Sequence, residues 1–188
     1  VIGGTAFFEC DKLTHIVLPK KLTYLGHMSF AGCYKLVTLV IPKTVKYIGD
    51  MCLGETYYFK KVYYTGSKSD WEKIEIDPFQ YRPFDDIISY NYDYSEPILA
   101  VRAPVFDPLN KAIKYTWIPA PDADGYKIYV YNTSTKKWEN KVTVRDGKAT
   151  SYTIKNLKAG TEYTYRVRAY AKRNGKTYWG DYDRGDSI

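Results

Sequence analysis

The strongest constraint on this chain is a pattern that returns every 23 residues through its first half. Ile2-Gly3, Leu25-Gly26 and Ile48-Gly49 share one phase, as do Phe7, Phe30 and Leu53. Cys10 and Cys33 follow, then Leu13 and Leu36, then Ile16, Leu39 and Val62. Leu18-Pro19 returns as Ile41-Pro42, and Leu22 as Val45. Apolar columns at one fixed period mean that successive coils bury the same positions against one another, in a core that runs from coil to coil. Thr14–Leu18 and Thr38–Ile41 are predicted as short strands, each ended by a proline that cannot donate to a ladder. The Gly-x-x-x-Phe-x-x-Cys stretch is predicted as a tight helical or 3₁₀ turn on the opposite flank. Cysteines that recur with the coil read as small buried apolar groups rather than as a redox or metal site.

The units IGGTAFFECDKLTHIVLPKKLTY and LGHMSFAGCYKLVTLVIPKTVKY resemble BspA-type leucine-rich repeats of bacterial surface proteins. The third unit, IGDMCLGETYYFKKVYYTG, is degenerate, with Thr56 where Cys10 and Cys33 stand. The segment that follows resembles the closing cap of such repeats. Within it Ser69 is expected to cap a short helix through Trp71 and Ile74, with a strand near Ile87–Tyr92. The sequence starts inside a repeat, and fewer than three full coils rarely stand alone, so a longer parent protein is expected.

Composition changes near residue 95. Residues 1–94 carry 11 Lys+Arg and 11 Asp+Glu, whereas residues 95–188 carry 17 and 10, so the whole net charge of +7 falls on the second half. The polar stretch Asp93–Glu96 before Pro97 reads as a linker. Two domains are expected, 1–94 and 97–188. With 21 tyrosines, the chain favours pleated, half-buried surfaces. Seven strands are predicted in the second half: Ile98–Val105, Ala112–Ile118, Gly125–Asn132, Lys137–Val144, Thr150–Ile154, Glu162–Ala171 and Lys176–Tyr182. Asn174-Gly175 is a hairpin signal before the last of them.

This half resembles a fibronectin type III domain, on Trp117 and the run NLKAGTEYTYRVRAY. That resemblance implies a core tryptophan on the second strand and a tyrosine corner built from Leu157 and Tyr163. The polar ending Asp183-Arg184-Gly185-Asp186-Ser187 departs from the family pattern and suggests a frayed edge. The combined fold class is mainly β: the C-terminal part of a leucine-rich-repeat solenoid joined to a seven-stranded fibronectin type III sandwich.

Catalytic motifs are not found in the sequence. GxSxG, HExxH and P-loop patterns are lacking, His15 and His27 fall at different phases of the repeat, and Asp85-Asp86 reads as a solvated loop. The chain is expected to be no enzyme and to hold no metal or cofactor. Arg184-Gly185-Asp186 and the sequon Asn132-Thr133-Ser134 read as chance occurrences. No stretch reaches the roughly 18 apolar residues of a membrane helix.

What remains is a surface. On the third and sixth strands of the sandwich the outward set is Lys127, Tyr129, Tyr131, Arg166, Arg168 and Tyr170, extended by Tyr178 or Trp179. Tyrosine and arginine are enriched in binding hot spots, so this is the candidate binding face, with ordinary cross-strand pairing that stiffens the sheet as the alternative reading. As a free face it would tolerate Tyr129→Ala with Tyr170→Ala at little cost in stability. Phe7, Phe30, Cys10, Cys33, Trp117, Leu157 and Tyr163 are assigned structural roles. The expected function is adhesion or recognition at a bacterial cell surface or in a secreted protein, with a host or bacterial protein or glycan as partner and no nucleic acid. An accessory region of a secreted enzyme and a structural stalk are the rivals.

Overall fold

Each coil of the first unit hydrogen-bonds to the next at three places around its circumference. The computed structural model describes residues 1–77, 84, 87–109, 111–158 and 163–184. The chain separates into Val1–Glu96 and Pro97–Ile188, each with its own core.

In the first unit, β1 (His15–Val17), β3 (Thr38–Ile41), β5 (Lys61–Tyr64) and β7 (Ile88–Ser89) form one parallel sheet in that order. Its register joins Ile16 to Leu39 and Leu39 to Val62, the same columns that the repeat aligns. A second parallel ladder, β2 (Tyr24–Leu25), β4 (Tyr47–Ile48) and β6 (Glu75–Ile76), lies beyond the prolines. It differs from the expectation of one strand per coil, because the chain after each proline turns and extends again for two residues.

The third flank is a series of tight turns closed by bonds of the 3₁₀ kind, between residues three apart. Phe8 N donates to Thr5 O, Cys10 N to Phe7 O and Leu13 N to Cys10 O. Alternate amides bond to the next coil instead, Phe7 N to Ser29 O and Phe30 N to Cys52 O. A helix would need those amides for its own chain. Thr5, Met28 and Met51 share positive φ, as do Glu9, Gly32 and Glu55, so the backbone conformation also repeats every coil.

Leu25, Phe30, Leu36, Leu39, Ile41, Ile48 and Val62 form the buried centre. The far end is closed by Tyr64, Trp71 and Phe84, whose rings meet edge to face at 5.1 and 5.8 Å. Trp71 sits on α1 (Lys68–Trp71), and its N-cap is Ser67, not Ser69. Ser67 Oγ accepts from Asp70 N while the Asp70 carboxylate accepts from Ser67 N, the reciprocal arrangement of a capping box. Asp70 supplies the acid three residues on from Ser67, although Glu72 stands in the same relation to Ser69. Asp85-Asp86 lies outside the described residues.

In the second unit, β8 (Arg102–Leu109), β9 (Ala112–Ile118) and β12 (Ser151–Lys155) form an antiparallel sheet in the order β12-β9-β8. The other sheet runs β11 (Lys137–Val144), β10 (Gly125–Asn132), β13 (Tyr165–Arg173) and β14 (Lys176–Trp179). A short β15 (Asp183–Arg184) rejoins β13 beyond β14. The expected last strand is thus interrupted at 180–182, and its Asp183-Arg184 end is paired with Val167 and Arg166 rather than frayed. Gly185 and Asp186 of the tripeptide lie outside the described residues. The first strand begins later than expected, at Arg102, while Ile98 N is held by Asp122 Oδ2 at 2.7 Å. Between the sheets lie Ile113, Tyr115, Trp117, Tyr126, Ile128, Tyr165, Val167 and Ala169.

Candidate functional site

Strand alternation sends Tyr165, Val167, Ala169 and Ala171 of β13 into the core, and therefore Arg166, Arg168 and Tyr170 to the outer face. Antiparallel register sets Tyr129 opposite Arg166, Lys127 opposite Arg168, and Gly125 opposite Tyr170. The candidate face named from the sequence is thus assembled, with one exception. Asn174 and Gly175 both have positive φ, as a two-residue hairpin of the primed type requires, and Arg173 pairs with Lys176. That register places Trp179 opposite Tyr170 and Tyr178 opposite the buried Ala171. Tyr178 consequently packs on the core, and Trp179, 41% exposed, is the one that extends the face.

Side chains on this face are locked to one another. The Arg166 guanidinium lies 3.6 Å from the centre of the Tyr182 ring and 4.3 Å from that of Trp138. Arg168 lies 4.1 Å from the Trp179 ring and 4.6 Å from that of Tyr182, and its Nη2 donates to Tyr129 Oη at 3.1 Å. Tyr129 meets Tyr182 edge to face at 5.4 Å, and Tyr131 meets Trp138 at the same distance. Tyr170 is only 9% exposed, since its ring packs on Trp179 at 5.7 Å and its partner Gly125 leaves room beneath it. The face is a cation–π lattice, and Tyr170 belongs to the interior of that layer. Sequence reading missed Trp138 and Tyr182. Trp138 follows from its place beside Tyr131 in the β10–β11 pair, whereas Tyr182 lies in the break between strands and no periodicity announces it.

Next to the lattice the sheet opens into a groove of about 240 Å³, lined by Lys127, Thr143, Arg145, Tyr170, Lys172, Thr177 and Trp179. Lys127 Nζ stands 5.2 Å over the Trp179 ring. The neighbouring carboxylate of Asp124 is engaged by Arg173 Nη1, at 3.0 Å from each oxygen, and by Lys172 N. Those donors hold its carboxyl below the usual aspartate range.

The first unit carries a second aromatic arrangement, unremarked in the sequence reading. Tyr24 stacks on Tyr47 at 4.8 Å and Tyr34 on Tyr57 at 5.7 Å, with ring planes within 6° in both pairs. Tyr24, Tyr34 and Tyr57 are 38%, 37% and 71% exposed. The 23-residue spacing that aligned the core columns also aligns these two pairs, so the signal was present on the polar side of the pattern.

Residues 1–89 match the family model of the BspA type leucine rich repeat region, in 6 copies. Residues 105–180 match that of the fibronectin type III domain. The chain carries a BspA-type leucine-rich-repeat region followed by a fibronectin type III domain. No curated protein matches it. Solved structures that resemble it include one titled as a mutant of FN3tt, 17% identical, covering 47% of this chain and 88% of that one with a TM-score of 0.35. Another is a Fn3-like protein from Clostridium thermocellum, 24% identical, covering 50% and 90%, with a TM-score of 0.33.

The residues assigned structural roles lie as follows. In the leucine-rich-repeat region Phe7 and Phe30 stack at 5.0 Å with nearly parallel rings. Cys10 is half-buried, and Cys33 is fully buried with its thiol donating to Phe7 O. Cys52, also buried, has Sγ 3.2 Å from Ser29 Oγ. Burial pushes the Cys33 thiol up and the Cys52 thiol up to about 11. His15 Nδ1 lies 2.8 Å from Thr38 Oγ1, a bond within the parallel sheet. Among the described residues no three His, Cys, Asp or Glu side chains are grouped as a metal site would need. In the fibronectin type III domain Trp117 is buried against Tyr126 at 5.0 Å. Tyr163 Oη accepts from Lys158 N at 3.1 Å, and Leu157 packs beside it on the core. The Asn132 amide of the sequon is tied into its own turn, accepting from Ser134 N and donating to Glu139.

Proposed function

We propose that this chain is a non-catalytic recognition module of a bacterial cell-surface or secreted protein, which binds a protein or glycan ligand. In this reading the repeat region is a leucine-rich-repeat solenoid that presents the ligand surface. The sandwich that follows it in the chain is a spacer with a second contact face. The observation that carries it is the pair of tyrosine stacks, Tyr24–Tyr47 and Tyr34–Tyr57, in which Tyr24, Tyr34 and Tyr57 are exposed. Stacked rings lose little conformational freedom when a ligand arrives, and they offer a flat apolar surface with hydroxyls at the edge. Sugar rings and extended peptides both suit such a surface. Both domain types are common in extracellular and surface-associated proteins, which supports the location.

The test is a protein and glycan array probed with the whole chain. A ligand is expected, and Tyr34→Ala with Tyr57→Ala should weaken its binding at least about tenfold while the repeat stays folded. A chain that binds nothing on the array is a stalk. A ligand held equally well by the double variant removes the tyrosine stacks from the interface.

A further inference from the structure

The groove beside Trp179 has a chemistry different from that of the tyrosine stacks. Three of its lining residues, Lys127, Arg145 and Lys172, are cations, and among the described residues none of its lining is acidic. Arg168, next to it, adds a fourth cation held against Trp179. The Asp124 carboxylate is engaged by Arg173 and by the Lys172 amide. The two threonine hydroxyls, of Thr143 and Thr177, can donate or accept. The exposed Trp179 ring forms an apolar edge.

From this combination we infer that the groove is a subsite for an acidic polysaccharide, taking one carboxylate- or sulfate-bearing sugar unit. The inference deepens the recognition reading above and rests on it. The anionic group would sit among Lys127, Arg145 and Lys172, where charge-assisted hydrogen bonds are shorter and stronger than neutral ones. Neighbouring hydroxyls of the sugar would meet Thr143 and Thr177, and its C–H groups would meet the exposed edge of Trp179, whose face Arg168 occupies. The volume of about 240 Å³ is below that of pockets that enclose a drug-sized ligand, so one unit enters and the rest of the polymer runs along the sheet. The charge asymmetry of the chain agrees: all of its +7 lies on residues 95–188, and such a field concentrates a polyanion near the domain. Single-stranded nucleic acid is the weaker fit. It needs several free aromatic faces in succession for base stacking, and here Arg166 and Arg168 lie over Tyr182, Trp138 and Tyr129.

The experiment measures binding of the whole chain to dextran sulfate and to unmodified dextran. In parallel it measures binding to polygalacturonate and to its methyl ester, each at low and at physiological salt. Binding is expected for the two charged polymers, weakening as salt rises, with none for their neutral counterparts. Lys127→Ala with Arg145→Ala and Lys172→Ala should weaken it at least about tenfold, on the scale of charge pairs lost from an interface. A control that removes the same charge elsewhere on the domain, Lys114→Ala with Lys137→Ala and Lys148→Ala, should cost less than about threefold. Should the groove triple fail to fold, Lys172→Glu alone, on an exposed side chain, replaces it with the same expectation. Equal losses in the two triples, binding of the neutral polymers, or tighter binding of oligothymidylate overturns the proposal. Failure here leaves the array ligand of the tyrosine stacks untouched, and loss of that ligand in Tyr34→Ala with Tyr57→Ala leaves the groove untouched. The two readings therefore fail separately.

Discussion

Replacing Tyr129 and Tyr170 together with alanine asks whether the outer sheet face is a free surface or part of the fold. Tyr170 is 9% exposed and packed against Trp179 at 5.7 Å. Opposite it stands Gly125, where an added Cβ would come within 2.7 Å of Tyr170 Oη, so the ring covers a bare stretch of strand. Removing a buried aromatic ring costs roughly 3–5 kcal/mol in a core, and about 2–3 kcal/mol is reasonable on a sheet face that can settle. Tyr129 is half-buried and loses the Arg168 hydrogen bond and the Tyr182 edge contact, together about 2 kcal/mol. The two sites are linked through Arg168, which bonds Tyr129 and lies on the Trp179 ring that packs against Tyr170, so their sum of about 4–5 kcal/mol carries a coupling of about 1 kcal/mol in either direction. In a domain of this size that corresponds to a fall in Tm of roughly 20 °C. Tryptophan emission follows the right unit, because Trp117, Trp138 and Trp179 lie in the second domain and only Trp71 in the first. Tyr129→Phe with Tyr170→Phe keeps both rings and should cost only about 1 kcal/mol. A fall in Tm below about 4 °C for the alanine pair would refute the lattice as a structural layer and restore the free face expected from the sequence.

Three further outcomes follow from the same geometry. Gly26→Ala should destabilise the repeat region by about 1–3 kcal/mol in chemical denaturation, because its Cβ would lie 2.4 Å from Gly4 N in the preceding coil. Burial raises the hydroxyls of Tyr126 and Tyr165 to about 12. Their folded values exceed the unfolded value near 10, so the stability they contribute is whole below pH ~10 and is lost as pH rises towards 12. Alkaline unfolding of the sandwich should begin in that window, with tyrosinate absorbance rising alongside it, and unchanged stability through pH ~12 would contradict the burial. Thiol labelling of the native chain should modify Cys10 first, since Cys33 and Cys52 are buried and Cys52 is held protonated up to about pH 11. Equal labelling of all three would mean that the coils open readily.

Much of the fold was legible because its causes are local. The Ile-Gly column recurs since coils approach too closely there for a side chain: at Gly49 an added Cβ would lie 2.6 Å from His27 N. The hairpin at Asn174-Gly175 fixed a register that already placed Trp179, not Tyr178, opposite Tyr170. Ser67 rather than Ser69 as the helix cap was not readable, since Glu72 stands three residues after Ser69 as Asp70 does after Ser67. The second parallel ladder was harder, since two residues per coil are too few to show alternation. The turns of the third flank were harder still, because their amides bond to a neighbouring coil and not along their own chain.

By itself the sequence determined the 23-residue coil, the buried columns, the alternation of the sandwich strands and the place where charge begins to accumulate. The first three are consequences of a short-range period that any buried surface must obey, and the last is a matter of composition alone. Tertiary structure alone decided what the aromatic residues do. Arg166 reaches Trp138 and Tyr182 across strands distant in the chain, and Tyr170 is covered where Tyr57 is left open. A period specifies which side of a strand a ring occupies. Only the packed neighbours determine whether solvent, or a ligand, can still reach it.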